Sequence, residues 1–370
     1  MASRAVPLNP AARGTGWSRD RTRLLAAGVR GLLLLGFVLG PWIFPSFRAM
    51  DVLAKIMIFA VVVASYDLII GYTGIVSFAH GMFFGLGAYC LALVIHHGGE
   101  PRGYHLVVAL VLAVGLSSVL ASAVAFFSLR VKAIFFAMVT LALAEFAHIL
   151  GGQWTSLTLG EDGVSFRLPG VLGVGWTGGE VLGVSVDGRL ITYYAILGVS
   201  VAVFAGLLRF VESPVGRVIE SIRENEQRAT ALGYRTFLYQ LLATVVGSAG
   251  ASIAGVLFAA WVRYVNPESV LGIPIMLNIL LMVIIGGLGT LYGSIVGAAF
   301  IMVAETWLPE LQTAASTLLP GVEIAQRLAE RWVLHFGILF MLVVFLFPKG
   351  IMGAVHQVLA RREPTRTGGQ

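Results

Sequence analysis

Ten apolar stretches recur along the chain, and they restrict its possible folds more than any other feature. A helix needs about 20 apolar residues, at a rise of about 1.5 Å each, to cross the hydrocarbon core of a membrane. Of the 370 residues, 58% are hydrophobic and only 12% are charged, which is too much apolar surface for a water-soluble fold to bury. We therefore expect an all-α fold, a polytopic transmembrane helix bundle of about ten spans. The stretches are approximately residues 31–47, 51–70, 80–97, 106–128, 133–150, 190–209, 237–261, 271–286, 290–308 and 333–349.

Basic residues cluster at particular ends of these stretches, a pattern that orients membrane helices. If residues 1–30 lie inside the cell, 17 of the 25 lysines and arginines fall on the inner side, so the net charge of +6 needs no nucleic-acid partner. We predict a cytoplasmic basic tail at 1–30, a transmembrane domain at 31–353 and a cytoplasmic tail at 354–370. The loop 151–189 would then lie outside. A signal peptide or an organelle transit peptide is the alternative for the N-terminal region.

Two glycine-rich breaks interrupt the apolar pattern, at residues 71–87 and 286–297. Discontinuous helices often mark a translocation route, because non-helical backbone within a membrane must be satisfied by protein or by a water-filled path. Close helix packing is the alternative, since small residues spaced by four let helices approach. The short stretches 271–286 and 290–308 form either one long bent helix or a re-entrant pair. The predicted path residues are Gly71, Tyr72, Thr73, Gly74, Ser77, His80, Gly286, Gly287 and Gly289.

A polar segment, residues 213–233, separates two apolar stretches and predicts an amphipathic helix outside the membrane. Ser213 followed by Pro214 is a favourable helix start, and Gly233 is a favourable stop. Apolar residues recur on one face, whereas acidic and basic residues mix on the other. A helix lying on the membrane surface usually has a mainly basic polar face, so this segment favours docking to a protein partner. The candidate docking contacts are Arg217, Ile222, Arg223, Glu224, Asn225, Glu226 and Gly233.

The chain has no G-x-x-x-x-G-K-[ST] phosphate loop, because none of its three lysines follows such a pattern. We expect no catalytic residues, no metal site and no cofactor of its own. Intramembrane carboxylates are few, which disfavours an ion-coupled secondary carrier, and an intramembrane enzyme would need a dyad that the scattered histidines do not supply. A docking helix without its own motor favours an ATPase subunit in another chain. The isolated carboxylates in or near the apolar stretches are Asp67, Glu145 and Glu305, and the scattered histidines include His80, His148 and His335.

Several motifs in order resemble those of branched-chain amino acid permeases of the LivM type. They begin with Asp67-Leu-Ile-Ile-Gly-Tyr-Thr-Gly74 and continue through Ile222-Arg-Glu-Asn-Glu226. Asn266-Pro-Glu-Ser269, Gly286-Gly-Leu-Gly-Thr290 and Phe347-Pro-Lys-Gly350 resemble later landmarks. The chain departs from the family pattern at Ile75, where glutamine is frequent, and at His80-Gly81-Met82, where an Ala-rich sequence is common.

This resemblance implies the permease fold of an ATP-binding cassette importer that works by alternating access in the cell inner membrane. The implied partners are two cytoplasmic ATPase subunits, which bind the ATP, a LivH-like sister permease, a periplasmic or extracellular solute-binding protein, and lipid. Residues 213–233 would dock to the ATPase. The implied cargo is branched-chain amino acids, and the alternatives are urea, short amides or another small organic solute.

Overall fold

The computed structural model describes residues 31–44, 46–128, 133–173, 176–181, 184–318 and 332–354. The predicted tail at 1–30, most of the tail at 354–370 and the basic pair Arg130 and Lys132 lie outside the described residues. Within the described residues, nine helices are long and apolar enough to cross a membrane, and a tenth apolar helix is shorter. The protein is therefore a multi-pass helical membrane protein, as the apolar pattern predicts.

Fourteen of the described helices are labelled α1 to α14 in chain order. A π-helical turn at Leu68–Thr73 extends α2. The helices are α1 Gly31–Ile43, α2 Phe47–Asp67, α3 His80–His97, α4 Gly103–Ser128, α5 Ala133–Gln153, α6 Thr155–Thr158, α7 Gly188–Glu212, α8 Pro214–Glu224, α9 Glu226–Ala231, α10 Thr236–Val262, α11 Pro267–Val270, α12 Ile273–Gly286, α13 Leu291–Leu318 and α14 Trp332–Leu346.

Helix α2 forms the centre of the bundle, and every residue from Ile56 to Asp67 is buried. It packs against α7, α10, α12 and α13, while α10 also packs against α3 and α4. The α3–α10 contact is close because glycines lie in it: a Cβ at Gly87 would overlap the carbonyl of Ser252. Since lipid is as apolar as a leucine side chain, such backbone approach is a main source of helix association in membranes.

Helices α12 and α13 form an antiparallel hairpin, which decides between the two interpretations of residues 271–308. The α13 residue Gly293 lies against the carbonyl of Gly286, and Gly297, one turn further on, lies against that of Met282. One long bent helix is therefore wrong. The predicted close packing of small residues at four-residue spacing is confirmed at these two glycines.

The loop between α5 and α7 contains short strands that an all-α prediction omits. Strand β1 (Val164–Ser165) pairs antiparallel with β4 (Tyr264–Val265), which follows α10, and β2 (Thr177–Val181) pairs with β3 (Val184–Asp187). Arg263, which directly precedes β4, connects the end of α10 to the 151–189 loop, because its Nη2 donates a hydrogen bond of 3.0 Å to the carbonyl of Leu172. Burial and the nearby charge of Arg189 lower the pKa of Arg263 below its usual range.

The first predicted span, residues 31–47, is shorter in the structure. Helix α1 ends at Ile43, and Ser46 caps a new helix by accepting a hydrogen bond of 3.1 Å from the backbone N–H of Ala49. A serine directly before a helix accepts a hydrogen bond from one of the first free N–H groups and so stabilises a helix start at that point. Helix α2 therefore begins at Phe47 rather than at residue 51.

Candidate functional site

The polar segment begins and ends as its sequence predicts, but it contains two helices instead of one. The Ser213 hydroxyl accepts a hydrogen bond of 3.3 Å from the N–H of Gly216, and Pro214 occupies the first turn of α8. Gly233 adopts a left-handed backbone with φ of 91°. The single predicted helix is wrong at Asn225, whose side chain accepts a hydrogen bond of 2.9 Å from the N–H of Arg228 and starts α9.

Helix α8 places its apolar face on the bundle and its charged face outward. Ile219 and Ile222 are buried, and the helix contacts α7, α10 and the π-helical turn. This arrangement confirms the predicted amphipathic character. Of the candidate docking contacts, Ile222 is therefore covered by the chain itself. The exposed members are Arg217, Arg223, Glu224, Asn225, Glu226 and Gly233.

Arg223 turns its guanidinium toward the bundle and connects the polar segment to both glycine breaks. Its Nη1 donates a hydrogen bond to the carbonyl oxygen of Gly71, in the π-helical turn. Its side chain also lies against Gly74 and Gly289, where an added Cβ would meet it at 3.2 and 3.1 Å. Arg223 was predicted as a docking contact for a partner, whereas the structure places its guanidinium on the transmembrane domain of its own chain.

Asp67 joins the two breaks to each other from within the bundle. It is only 1% exposed, and its Oδ1 accepts a hydrogen bond of 2.7 Å from the N–H of Gly289. Gly287 and Gly289 have φ of 110° and 77°, so the turn before α13 is one that glycine permits. A carboxylate at this position also stabilises the positive N-terminal end of α13.

We call the four residues Asp67, Gly71, Arg223 and Gly289 the Arg223 junction. Three segments meet there: the end of α2, the α12–α13 turn and the polar segment. The positive charge of Arg223 is close enough to Asp67 to act on it electrostatically. The chain after α14 also reaches this end, since Gly350 packs against the backbone of Gly287. A displacement of α8 would therefore displace α2 and the α12–α13 hairpin together.

From Gly74 the chain runs back into the bundle without helical structure until His80. His80 is fully buried, and its Nε2 lies 2.9 Å from the hydroxyl of Ser65 on α2. Ser65 precedes Thr73 by eight residues, so the non-helical stretch ends about 12 Å along the helix axis from the end of the π-helical turn. The stretch is partly open, because Val76 is 38% exposed. Residues 74–79 thus form the kind of irregular wall that membrane proteins keep for contact with protein or water.

The structure brings the two predicted sets of path residues together at one end of the bundle. Gly71, Gly74, Gly286, Gly287 and Gly289 lie at or beside the Arg223 junction. Tyr72 and Thr73 belong to the π-helical turn, and Ser77 and His80 are buried along the non-helical stretch. Their role in a path remains a prediction.

A second polar group at the start of α2 was missed from the sequence. Asp51 Oδ1 accepts a hydrogen bond of 2.8 Å from Trp261 Nε1, and its Oδ2 lies 2.8 Å from Lys55 Nζ. Nearby, Glu305 Oε1 accepts a hydrogen bond of 3.1 Å from Asn278 Nδ2. An acid and a base four residues apart at the beginning of an apolar stretch were the available signal.

Comparison with known proteins gives consistent relatives. Residues 48–345 match the family model described as the permease component of branched-chain amino acid transport systems. The high-affinity permease protein LivM of Salmonella typhimurium is 28% identical over 309 residues, which are 79% of this chain and 71% of LivM. LivH of Escherichia coli is 25% identical over 80% of this chain and 91% of its own length, and BraD of Pseudomonas aeruginosa is 23% identical over the same shares. No solved structure matches. The chain belongs to the family of branched-chain amino acid transport system permease components.

Proposed function

We propose that this chain is the transmembrane permease subunit of an ATP-binding cassette importer for branched-chain amino acids. The observation that carries the proposal is the Arg223 junction. It links a surface helix with a mixed-charge outer face to the central helix and to both breaks in the helical pattern. The relatives named above, which are branched-chain amino acid permeases, support the cargo class.

The proposed mechanism is alternating access driven from the polar segment. The exposed charges of Arg217, Glu224 and Glu226 dock to a cytoplasmic ATPase subunit, which binds the ATP. Closure of two such subunits moves α8, and Arg223 transmits this movement to Gly71. Asp67 and Gly289 then shift the α12–α13 hairpin with α2, because the hydrogen bond between them joins the two elements.

The proposed assembly pairs this chain with a LivH-like sister permease, two ATPase subunits and a solute-binding protein. The complex would lie in the inner membrane, with both termini and the polar segment in the cytoplasm. The basic residues near the polar segment support this orientation. The solute-binding protein would dock at the opposite end, where the strands of the 151–189 loop lie.

Charge reversal on the outer face tests the docking step. In the complex expressed with all its subunits, the double variant Arg217→Glu and Glu224→Lys should lose most of the co-purifying ATPase. Val201→Ala, at an exposed apolar position of α7, is the control and should retain it. Full recovery of the ATPase with the double variant would argue against docking through α8.

Side-specific labelling tests the orientation independently. A single cysteine at Glu226, in a Cys90→Ser background, should react with a membrane-impermeant maleimide only after the cells are opened. Labelling of intact cells would place the polar segment outside and would end the importer proposal.

An ion-coupled carrier is the second candidate, and the Asp51, Lys55 and Glu305 group favours it because ionisable residues at membrane depth can bind or relay ions. Uptake into proteoliposomes separates the two. Dependence on ATP supports the importer, whereas uptake that follows an ion gradient and ignores ATP supports the carrier. Competition by urea or short amides in the same assay would identify an alternative cargo.

A further inference from the structure

A cavity of about 160 Å³ lies between the non-helical stretch, α3, α5 and the beginning of α12. Its walls are almost entirely apolar, and Glu145 contributes the one ionisable side chain among the lining residues. The other principal lining side chains are Phe78, Met82, Leu141, Ala144 and Met276. The cavity therefore combines an aliphatic interior with a single carboxylate and is bounded by the break that membrane-embedded transport routes often contain.

None of the described residues donates a hydrogen bond to the Glu145 carboxylate. Its nearest titratable neighbour is His148, whose Nδ1 lies 3.5 Å away in a geometry that does not make a hydrogen bond. The other ring nitrogen of His148 lies 3.4 Å from Glu268. Two carboxylates thus share one imidazole, and this edge of the cavity has an excess of negative charge that suits a cationic group.

A larger cavity of about 190 Å³, between α1, α2, α7 and α13, has no acidic or basic lining residue and so offers no counter-charge to a charged cargo. The smaller cavity offers the carboxylate of Glu145. In addition, α12 begins at its wall, with Gly272 and Ile273 among the lining residues and no side chain capping the helix. The positive end of that helix lies close to the carboxylate of Glu145, as the two charges of an amino acid require.

We propose that this cavity binds the transported amino acid, with its ammonium group on Glu145 and its branched aliphatic side chain inside the apolar walls. The inference rests on the proposed importer function and adds the site to it. The volume suits the branched side chain, since an apolar cavity of about 150 Å³ in another protein holds benzene, which is larger than an isobutyl group. Helix α5 forms the outer wall of the cavity, and only 17% of its membrane-spanning window is buried by the rest of the chain.

The test is ATP-dependent uptake of L-leucine and L-valine by the complete transporter in proteoliposomes. Ala144→Leu reduces the cavity and should lower leucine uptake relative to valine by at least about tenfold, because a methylene in an apolar pocket has an effect of this size. Glu145→Gln removes the charge and should lower uptake of both by about fivefold. Ile149→Phe is the matched control, since it adds bulk on the outward face of the same helix and should change neither rate.

The outcomes separate the cavity from the importer. If the wild-type complex takes up neither amino acid with ATP, the importer assignment and the site both fail. If it does, and Ala144→Leu keeps the leucine-to-valine ratio while Glu145→Gln keeps both rates, only the site is overturned. Where Ala144→Leu does not assemble, Leu141→Phe at an exposed position of the same wall should give the same change in ratio.

Discussion

The carboxylate of Asp67 accepts a hydrogen bond of 2.7 Å from the backbone N–H of Gly289, which is 222 residues further along the chain. This bond fastens the end of the central helix α2 to the turn between α12 and α13. Since the guanidinium of Arg223 is held by Gly71, only four residues after Asp67, the same few atoms also anchor the polar segment. A change at Asp67 should therefore act mainly on the stability of the fold, and a change at Arg223 mainly on the coupling of transport to ATP hydrolysis.

Asp67→Ala should lower the free energy of unfolding by about 2 to 3 kcal/mol, because it leaves buried N–H groups without their charged acceptor. Asp67→Asn retains an acceptor oxygen and should lose less. Thermal unfolding followed by tryptophan fluorescence in lipid nanodiscs measures both. Asp162→Ala, at an exposed position, should stay within about 0.5 kcal/mol of wild type. Equal stability of the Asp67→Ala and Asp162→Ala proteins would contradict the fastening role.

Arg223→Ala should lower ATP-dependent uptake by at least about tenfold while the ATPase subunits still co-purify, because docking uses other side chains. Arg223→Lys should recover only part of the rate, since a single ammonium cannot reproduce the guanidinium's spread of donors. The measurement is the ratio of substrate transported to ATP hydrolysed. Arg209→Ala serves as the control, because it removes an exposed arginine from the end of α7 that adjoins the polar segment. An unchanged ratio in Arg223→Ala would exclude transmission through the junction.

Gly297→Ala should destabilise the protein by about 1 to 3 kcal/mol, because the new methyl group would force α13 away from the Met282 carbonyl. Gly198→Ala is the matched change in α7, where nothing lies within 4 Å of the new Cβ. That variant should be neutral or more stable by up to about 1 kcal/mol, since alanine favours helix over glycine. Thermal unfolding of the two variants side by side decides the question, and a loss of the same size in both would show that helix separation is not its cause.

The ion pair between Asp51 and Lys55 should have a measurable coupling energy. In a double-mutant cycle with Asp51→Asn and Lys55→Met, we expect about 1 kcal/mol, near the upper end for accessible pairs, because both side chains are only partly exposed. Chemical unfolding in mixed micelles measures the free energy of unfolding of the wild type, the two single variants and the double variant. Strict additivity would mean that Trp261 and solvent, rather than Lys55, hold the Asp51 carboxylate.

Local rules were sufficient for the features that depend on neighbouring residues. Ser213, Pro214 and Gly233 fixed the ends of the polar segment, because capping involves atoms within about four positions. The same rules contained a signal that was not used: Asn225 is a strong helix-starting residue, and it divides the segment. Most spans also followed from apolar length, but the first predicted span ends earlier, at Ile43, because the Ser46 cap starts a new helix.

The contacts of Arg223 and Asp67 could not be predicted in this way. A helical projection gives the direction of a Cβ, but the long arginine side chain carries its charge to a different place. The pairing of Asp67 with Gly289 depends on how distant helices assemble, which no periodicity records. The cavity beside Glu145 could not be predicted for the same reason, because its walls come from three separate parts of the chain.

The π-helical turn at Leu68–Thr73 has a genetic consequence as well as a mechanical one. Such a turn accommodates one residue more than a regular helix would, and π-turns of this kind tend to occur at functional positions. Deleting a single amino acid there would restore ordinary α-helical winding, in which each carbonyl accepts from the residue four positions on instead of five. The Gly71 carbonyl would then lose its present direction toward Arg223, so the contact between the polar segment and the end of α2 depends on one residue of this turn.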